Sequence, residues 1–180
     1  LLPPPLNPGD TVGLVSPSKA TDEALDLQIA QEVMQALGFK VKTGKHLASR
    51  RGHLAGTDAE RAADLNAMFG DKEVKAIICL RGGSGAARLL PLLDYDLIRR
   101  NPKVLLGYSD ITALHNAINA QTGLVTFHGP NGTGSWNAFN ADQFRRVFFN
   151  RELMEYRNVV DAKGELAQRQ NRTVTITGGK

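Results

Sequence analysis

Short apolar runs alternate with helix-compatible segments along most of this 180-residue chain, and this alternation restricts the possible folds more than any other feature. The runs occupy residues 11–15, 74–80, 104–106 and 124–127. A continuous apolar strand is typical of a parallel sheet that is covered on both faces. Strands and helices that alternate in this way indicate an α/β fold. We therefore expect a doubly wound, mostly parallel sheet with helices on both faces, built from residues 1–150.

The segments between these runs carry helix signals. Residues 21–37 carry an apolar stripe with one residue every four positions, which predicts an amphipathic helix. The stripe consists of Leu25, Ile29, Val33 and Leu37, with Ala30 and Met34 beside it. Thr57 and Glu60 form a T-x-x-E capping box that predicts the start of a second helix. Further helices are predicted over residues 86–93 and 111–121.

Composition argues against several classes of protein. The 22 basic and 18 acidic residues are scattered along the chain, so no basic face for nucleic acid is evident. No apolar run approaches the length that spans a membrane, so we expect no membrane partner. The single cysteine, Cys79, lies in an apolar run and is predicted to be a buried, reduced thiol. A chain that forms no internal disulfide suits a cytoplasmic protein.

A serine follows the third apolar run, in the sequence Gly107-Tyr108-Ser109-Asp110. The carboxyl end of a parallel strand is where ligands and nucleophiles collect, and a helix N-terminus there favours negative charge. Ser109 could therefore be an exposed nucleophile at the top of the sheet. Serine is also a preferred helix N-cap, so Ser109 could instead cap the helix that follows. The residues alone leave both interpretations open.

A glycine-rich loop, residues 81–85, follows the second apolar run. It fits neither nucleotide-binding motif, because G-x-G-x-x-G is absent and no Lys-Ser or Lys-Thr pair follows. Three glycines let the backbone approach a ligand and direct N–H groups at an anion. That anion could be a phosphate or the oxyanion of acyl transfer at Ser109. The alternative is a tight turn between strand and helix that simply requires glycine.

A serine hydrolase also needs a base within hydrogen-bond reach of its serine. His115 is expected to be a surface or packing residue, and His128 is more typical of a turn because Gly-Pro follows it. His46 and His53 lie in a loop whose course the sequence does not fix. No pair of histidines has metal-ligand spacing, so neither a metal nor another cofactor is expected. From the residues alone, the nucleophile is plausible and the base is missing.

Four motifs in order over residues 9–132 resemble the LD-carboxypeptidase family of serine peptidases. This family includes the muramoyltetrapeptide carboxypeptidases and the microcin C immunity peptidases. The motifs are Gly9-Asp10-Thr11-Val12 with Ser16-Pro17-Ser18, Arg81-Gly82-Gly83 leading to Arg88-Leu89-Leu90-Pro91, Gly107-Tyr108-Ser109-Asp110-Ile111-Thr112, and His128-Gly129-Pro130. The resemblance favours Ser109 as the nucleophile over Ser109 as a cap.

The resemblance implies a Ser-His-Glu triad and an oxyanion hole of backbone N–H groups. The matching positions for that hole are Asp110 and either Gly82 or Gly83. The implied reaction releases the terminal D-alanine from an L,D-linked muropeptide tetrapeptide during peptidoglycan recycling, in a cytoplasmic dimer that needs no metal. We add Arg81 as a candidate for holding the substrate's terminal carboxylate, because a guanidinium binds a carboxylate through two hydrogen bonds.

The chain departs from the family pattern in two places. Ser84 stands where the family usually has an aromatic residue, so Ser84 is expected to alter the wall of the substrate pocket. The triad glutamate and histidine belong to the family's C-terminal domain, so both are expected beyond Lys180. Residues 151–180 are expected to be the interdomain connection or the start of that domain, which is otherwise absent from this chain. We therefore expect the 180-residue chain alone to be inactive.

Three functions remain in competition at this point. The first is the serine LD-carboxypeptidase, with this chain as the half that carries the nucleophile and its own C-terminal domain as a partner. The second is an immunity-type serine peptidase that cleaves an aminoacyl-nucleotide toxin. The third is a non-catalytic α/β module whose glycine-rich loop binds a phosphate or a nucleotide.

Overall fold

The computed structural model describes residues 1–152. Its strands are β1 (Thr11–Val15), β2 (Lys40–Thr43), β3 (Val74–Cys79), β4 (Val104–Gly107) and β5 (Phe127–His128). Its α-helices are α1 (Ala24–Ala36), α2 (Asp58–Gly70), α3 (Tyr95–Arg100), α4 (Thr112–Thr122) and α5 (Ala138–Phe148). Two 3₁₀ segments occupy Ala86–Leu92 and Ser109–Ile111. The alternating β-branched residues of 173–177 predict a further strand, which lies outside the described residues. Apart from residues 151 and 152, the connection expected over residues 151–180 also lies outside them.

The five strands form one parallel sheet in the order β2-β1-β3-β4-β5. The chain first moves outward from β1 to β2, then returns past β1 to β3 and continues in the opposite direction. In such a sheet, ligands bind beyond the carboxyl ends of the strands near the point where the order reverses. That point lies between β1 and β3, so the loops after these two strands frame the expected binding region.

Two apolar clusters cover the two faces of the sheet. Along β3, Ile77 joins the cluster that contains α2, α3 and α4, whereas Ile78 joins the cluster that contains α1 and α5. Neighbouring strand residues enter opposite clusters because successive side chains of a strand point to opposite faces. The doubly wound, parallel α/β fold expected from the sequence is therefore confirmed. None of the helices within residues 1–152 is long and apolar enough to cross a membrane.

The predicted apolar stripe of the first helix is confirmed only toward its C-terminal end, where Leu37 is buried and Val33 packs against the same cluster. Ala30 and Met34 are fully buried, whereas Leu25 and Ile29 are 54% and 45% exposed. The helix lies close to the loop after β5, since a Cβ on Gly132 would be 3.4 Å from the Cβ of Ala30. A small residue at position 30 permits this approach.

Two element boundaries also differ from expectation. The segment after the glycine-rich loop is 3₁₀ rather than α-helical, and it contains Pro91, whose ring in an α-helix would clash with the carbonyl four residues earlier. The last strand begins at Phe127 rather than at residue 124. Leu124 N–H donates to Thr122 Oγ1 and Val125 N–H donates to the carbonyl of Leu1, so this part of the backbone does not pair with β4.

Cys79 ends β3 and is fully buried, as the sequence predicts. Burial raises the pKa of its thiol far above the ordinary value, so the reactive thiolate is not populated at neutral pH. We expect the folded chain to be inert to a thiol-reactive disulfide reagent and to release one equivalent of product in guanidinium chloride. Stoichiometric reaction of the native chain at neutral pH would contradict this placement.

Candidate active site

Three loops meet beyond the carboxyl ends of neighbouring strands. Ser18 lies in the loop after β1, the loop with Gly82 and Gly83 follows β3, and Ser109 follows β4 directly. Between the last two loops lies a cleft of about 300 Å³, whose lining includes Arg81, Gly82, Gly83, Ser109, Asn131 and Thr133. The sheet therefore brings four of the candidate residues from the sequence to one cleft, namely Arg81, Gly82, Gly83 and Ser109.

Ser109 adopts a backbone conformation that is unusual for a residue with a side chain. Its φ is +67°, in the left-handed region that L-residues rarely occupy, and its side chain is exposed. It caps neither the 3₁₀ segment, whose N-cap is Tyr108, nor α4, whose N-cap is Ile111. The capping alternative is therefore wrong, because a serine N-cap requires an extended backbone. Strain of this kind clusters at functional sites and lifts the side chain out of the chain path.

The backbone of Gly82 passes directly beside the Ser109 side chain. A Cβ built on Gly82 would lie 2.8 Å from the Cβ of Ser109 and 3.1 Å from its Oγ. Any larger residue at position 82 would push these two loops apart. Position 82 must therefore be glycine for its backbone to lie this close to the Ser109 hydroxyl. This steric requirement is stricter than that of a tight turn between strand and helix, which was the alternative from the sequence.

The carboxylate of Asp110 ties the three loops together. Its Oδ2 accepts hydrogen bonds from the hydroxyl of Ser18 at 2.5 Å and from the backbone N–H of Ala86 at 2.8 Å. Ser18 Oγ also lies 3.2 Å from the carbonyl oxygen of Ser84 in the glycine-rich loop. One side chain therefore joins the loops that follow β1, β3 and β4.

A buried arginine that the sequence analysis did not single out reinforces this arrangement. Arg61 on α2 is only 2% exposed, and its Nη1 donates to the carbonyls of Pro17 and Gly85 at 2.7 and 3.0 Å. Its Nη2 forms an ion pair with Asp58, which also binds the exposed Arg88. Arg61 thus fixes the loops after β1 and β3 from below. The sequence does carry a signal for Arg61, because it is a charged residue inside the apolar stripe of α2.

The peptide bond between Gly107 and Tyr108 is held on both sides. His115 Nε2 donates to the Gly107 carbonyl at 2.9 Å, and the Tyr108 N–H donates to Asn131 Oδ1 at 3.1 Å. Burial lowers the pKa of His115, against the opposing effect of its bond to Gly107, so the ring is neutral at pH 7. His115 is a packing residue, as expected, and with Asn131 it holds the backbone just before Ser109.

The two candidate substrate-binding residues occupy different positions. Arg81 lines the cleft and donates to Asp22 Oδ2 at 2.8 Å and to the Ala20 carbonyl at 3.4 Å. Its hydrogen bond is the main reason that the pKa of Asp22 lies below the ordinary value. Ser84 does not line the cleft, and its hydroxyl lies 3.2 Å from His53 Nε2. Arg81 thus stands at the cleft and Ser84 at its outer side.

The histidines of the described part of the chain do not provide a base for Ser109. Among residues 1–152, no side chain hydrogen-bonds to Ser109 Oγ. His46 binds Asp64 at 2.9 Å, His53 faces Ser84, and the exposed ring of His128 stacks edge-to-face on Tyr108 at 6.1 Å. Nor do residues 1–152 contain a group of three His, Cys, Asp or Glu side chains that could hold a metal ion.

Comparison with known proteins gives a family match. Residues 12–129 match the model of the LD-carboxypeptidase N-terminal domain, which is most of the described chain. A probable murein peptide carboxypeptidase of Bacillus subtilis is 52% identical over 128 residues, which is 71% of this chain and 40% of that protein. The microcin C7 self-immunity protein MccF of Escherichia coli is 40% identical over 132 residues, which is 72% of this chain and 38% of that protein.

Solved structures agree with these matches. The crystal structure of an MccF-like protein from Bacillus anthracis superposes with a TM-score of 0.78 at 37% identity. The match covers 83% of this chain and 47% of that structure. The chain therefore spans about half the length of the relatives that it resembles.

Arg61 and Arg88 both bind Asp58, but Arg61 is buried and Arg88 is exposed, so we expect their removal to affect stability differently. Replacing Arg61 with methionine removes the donors to two carbonyls and should lower the free energy of unfolding by about 2–4 kcal/mol, since unsatisfied buried polar groups are costly. The matched control is Arg88→Met, which removes an exposed partner of the same carboxylate and should change stability little. Urea denaturation of the chain measures both, and equal effects of the two substitutions would contradict the structural role of Arg61.

Proposed function

This chain belongs to the LD-carboxypeptidase family, and we propose that it carries the nucleophile of a serine carboxypeptidase. The proposed reaction releases the terminal D-alanine from an L,D-linked muropeptide tetrapeptide in peptidoglycan recycling. The observation that carries this proposal is the position of a strained, exposed Ser109 directly beside the backbone of Gly82, where both border one cleft. The murein peptide carboxypeptidase named among the relatives supports the choice of substrate.

In the proposed mechanism, Ser109 Oγ attacks the carbonyl carbon of the last peptide bond and loses its proton to a base. The resulting oxyanion accepts hydrogen bonds from the backbone N–H of Asp110 and from that of Gly82 or Gly83. Such preorganised donors commonly supply the largest single contribution to acyl-transfer catalysis. The tetrahedral intermediate then expels D-alanine, which takes a proton, and water hydrolyses the acyl-enzyme to regenerate the serine.

The base and its orienting acid are assigned to a histidine and a glutamate beyond Lys180. Residues 1–152 contain no side chain bonded to Ser109 Oγ, which supports a base from elsewhere in the complete protein. Without a base, serine is a weak nucleophile, so the 180-residue chain alone should hydrolyse the peptide poorly. We further propose that residues 151–180 connect this domain to the one that supplies the base.

Arg81 is the proposed ligand of the substrate's terminal carboxylate. Arg81 lines the cleft, and its guanidinium already holds one carboxylate, that of the exposed Asp22. An incoming substrate could exchange with Asp22, because an exposed ion pair is weak. Ser84 would act at the outer rim, where its hydroxyl meets His53 rather than the cleft.

An immunity-type peptidase that cleaves an aminoacyl-nucleotide toxin is the second candidate. The observation in its favour is the 40% identity to a protein named for self-immunity to microcin C7. The same serine and glycine-rich loop would serve both reactions, so only assays with the two substrates can distinguish the two functions. Parallel assays of D-alanine release and of aminoacyl-nucleotide cleavage by the complete protein make this distinction.

We also propose that the complete protein is a cytoplasmic homodimer, as the family resemblance implies.

Substitution of the nucleophile tests the proposed function directly. In the complete protein, Ser109→Ala should reduce kcat for D-alanine release by several orders of magnitude, because only oxyanion stabilisation and binding remain. Ser49→Ala, in the loop before α2, is the matched control and should leave kcat unchanged. A Ser109→Ala protein that retains substantial turnover would contradict Ser109 as the nucleophile. A wild-type protein that binds phosphate or nucleotide without hydrolysing peptide would favour the non-catalytic module.

Substitution of Gly82 tests the glycine-rich loop. A Cβ at this position would collide with Ser109 and Tyr108, so Gly82→Ala should lower kcat by about 10²–10³, as loss of an oxyanion donor does. Gly70→Ala at the end of α2 is the control, since its Cβ would meet only Leu97 at an ordinary 3.6 Å. Steady-state kinetics and thermal melting separate this effect from unfolding, and an unchanged kcat in a folded Gly82→Ala protein would exclude the proposed loop geometry.

A further inference from the structure

Asn131 is a buried polar residue at the wall of the cleft. Its side chain is 3% exposed, and it lies opposite the glycine-rich loop in the lining that also contains Ser109. Neither the resemblance nor the proposed mechanism gives it a role. A buried amide that borders a binding cleft has four hydrogen-bonding valences to satisfy, so its partners reveal its function.

The orientation of the Asn131 side chain is fixed by its neighbours. The backbone N–H of Tyr108 can only donate, so the atom that faces it at 3.1 Å must be the amide oxygen, Oδ1. A Cβ on Gly107 would lie 3.0 Å from the same oxygen, which shows how tightly it packs against β4. The backbone carbonyl of Asn131 accepts from Trp136 Nε1 at 2.9 Å and from the Gly134 N–H at 2.8 Å.

The loop around Asn131 is also pinned to the sheet. The N–H groups of Gly132 and Thr133 donate to the carbonyls of Cys79 and Leu80, each at 2.9 Å. These bonds extend the sheet contact beyond β3, so the residue before them cannot swing freely. Asn131 is therefore held in place by the backbone on both sides and by its own oxygen.

The amide nitrogen, Nδ2, is the one polar atom of the Asn131 side chain whose role is not explained by these contacts. Within residues 1–152, Nδ2 makes no hydrogen bond, and the fully buried side-chain atoms without a partner are Arg61 Nε and His115 Nδ1. The cavity that Asn131 lines is the cleft beside Ser109. An amide nitrogen that has no partner among these residues carries two N–H donors that a molecule in this cleft could use.

We propose that Asn131 is a substrate-binding residue whose Nδ2 donates to a carbonyl or carboxylate oxygen of the peptide in the cleft. This inference rests on the proposed peptidase function and adds a recognition contact to it. The same side chain then has two tasks: Oδ1 holds the peptide bond before the nucleophile, and Nδ2 binds the substrate. An amide suits both tasks, because it carries one acceptor and two donors at opposite corners.

The isosteric substitution Asn131→Asp separates the two tasks. Aspartate keeps an acceptor for the Tyr108 N–H but has no donor for the peptide. In the complete protein, it should raise KM for a D-alanine-terminated tetrapeptide by about tenfold or more, as loss of a buried hydrogen bond does. Its rate of Ser109 labelling by a small fluorophosphonate should stay near the wild-type rate. Asn131→Ala removes both atoms and should impair labelling as well, whereas Asn116→Asp on the exposed face of α4 should change neither.

A tetrapeptide that ends in a carboxamide identifies the oxygen. An equal KM penalty for acid and amide points to a peptide carbonyl, and a penalty confined to the acid points to the terminal carboxylate. An Asn131→Asp protein with wild-type KM overturns the inference, as does one whose labelling falls as far as that of Asn131→Ala. Absence of D-alanine release by the wild-type protein would instead reject the proposed function.

A binding measurement covers the case in which Asn131→Asp does not fold. The Asn131 side-chain NH₂ resonances of the Ser109→Ala protein should shift when the tetrapeptide is added. Shifts of backbone amides around the cleft without a shift of this NH₂ group would overturn the inference.

Discussion

The carboxylate of Asp110 is the interaction on which the arrangement of the cleft depends. It accepts hydrogen bonds from the loop after β1, through Ser18, and from the start of the segment after the glycine-rich loop, through Ala86. Since the carboxylate itself follows β4, a single side chain sets the spacing of three loops. Hydrogen bonds to an ionised acceptor are roughly twice as strong as neutral ones, which suits a position where backbone segments must not drift apart.

The parallel sheet provides the reason that these loops meet at all. All five strands end at the same edge, so the segments after β1, β3 and β4 become neighbours although they are far apart in sequence. Two polar residues then complete the frame from the interior. Arg61 binds carbonyls of two loops from beneath the site, and His115 supports the carbonyl of Gly107 just before the strained serine. The left-handed φ of Ser109 can persist because the surrounding backbone is fixed on all sides.

The sequence predicted what depends on local chemistry. Apolar runs, glycines and the capping box located the strands, most of the helices and the loops at the carboxyl edge, including Ser109 and Gly82. It did not predict the roles of Arg61 and Asn131, because each acts through carbonyls or N–H groups of segments distant in the chain. Leu25 and Ile29 of the predicted α1 stripe are exposed for a similar reason: periodicity ranks side chains by apolarity, whereas the close approach of the loop at Gly132 favours the small Ala30.

The most direct test is a crystal structure of the complete protein after reaction with a fluorophosphonate. We expect a covalent bond to Ser109 Oγ, with the phosphoryl oxygen about 2.7–3.1 Å from the backbone nitrogens of Asp110 and of Gly82 or Gly83. A modified residue other than Ser109, or a phosphoryl oxygen turned away from the glycine-rich loop, would contradict it.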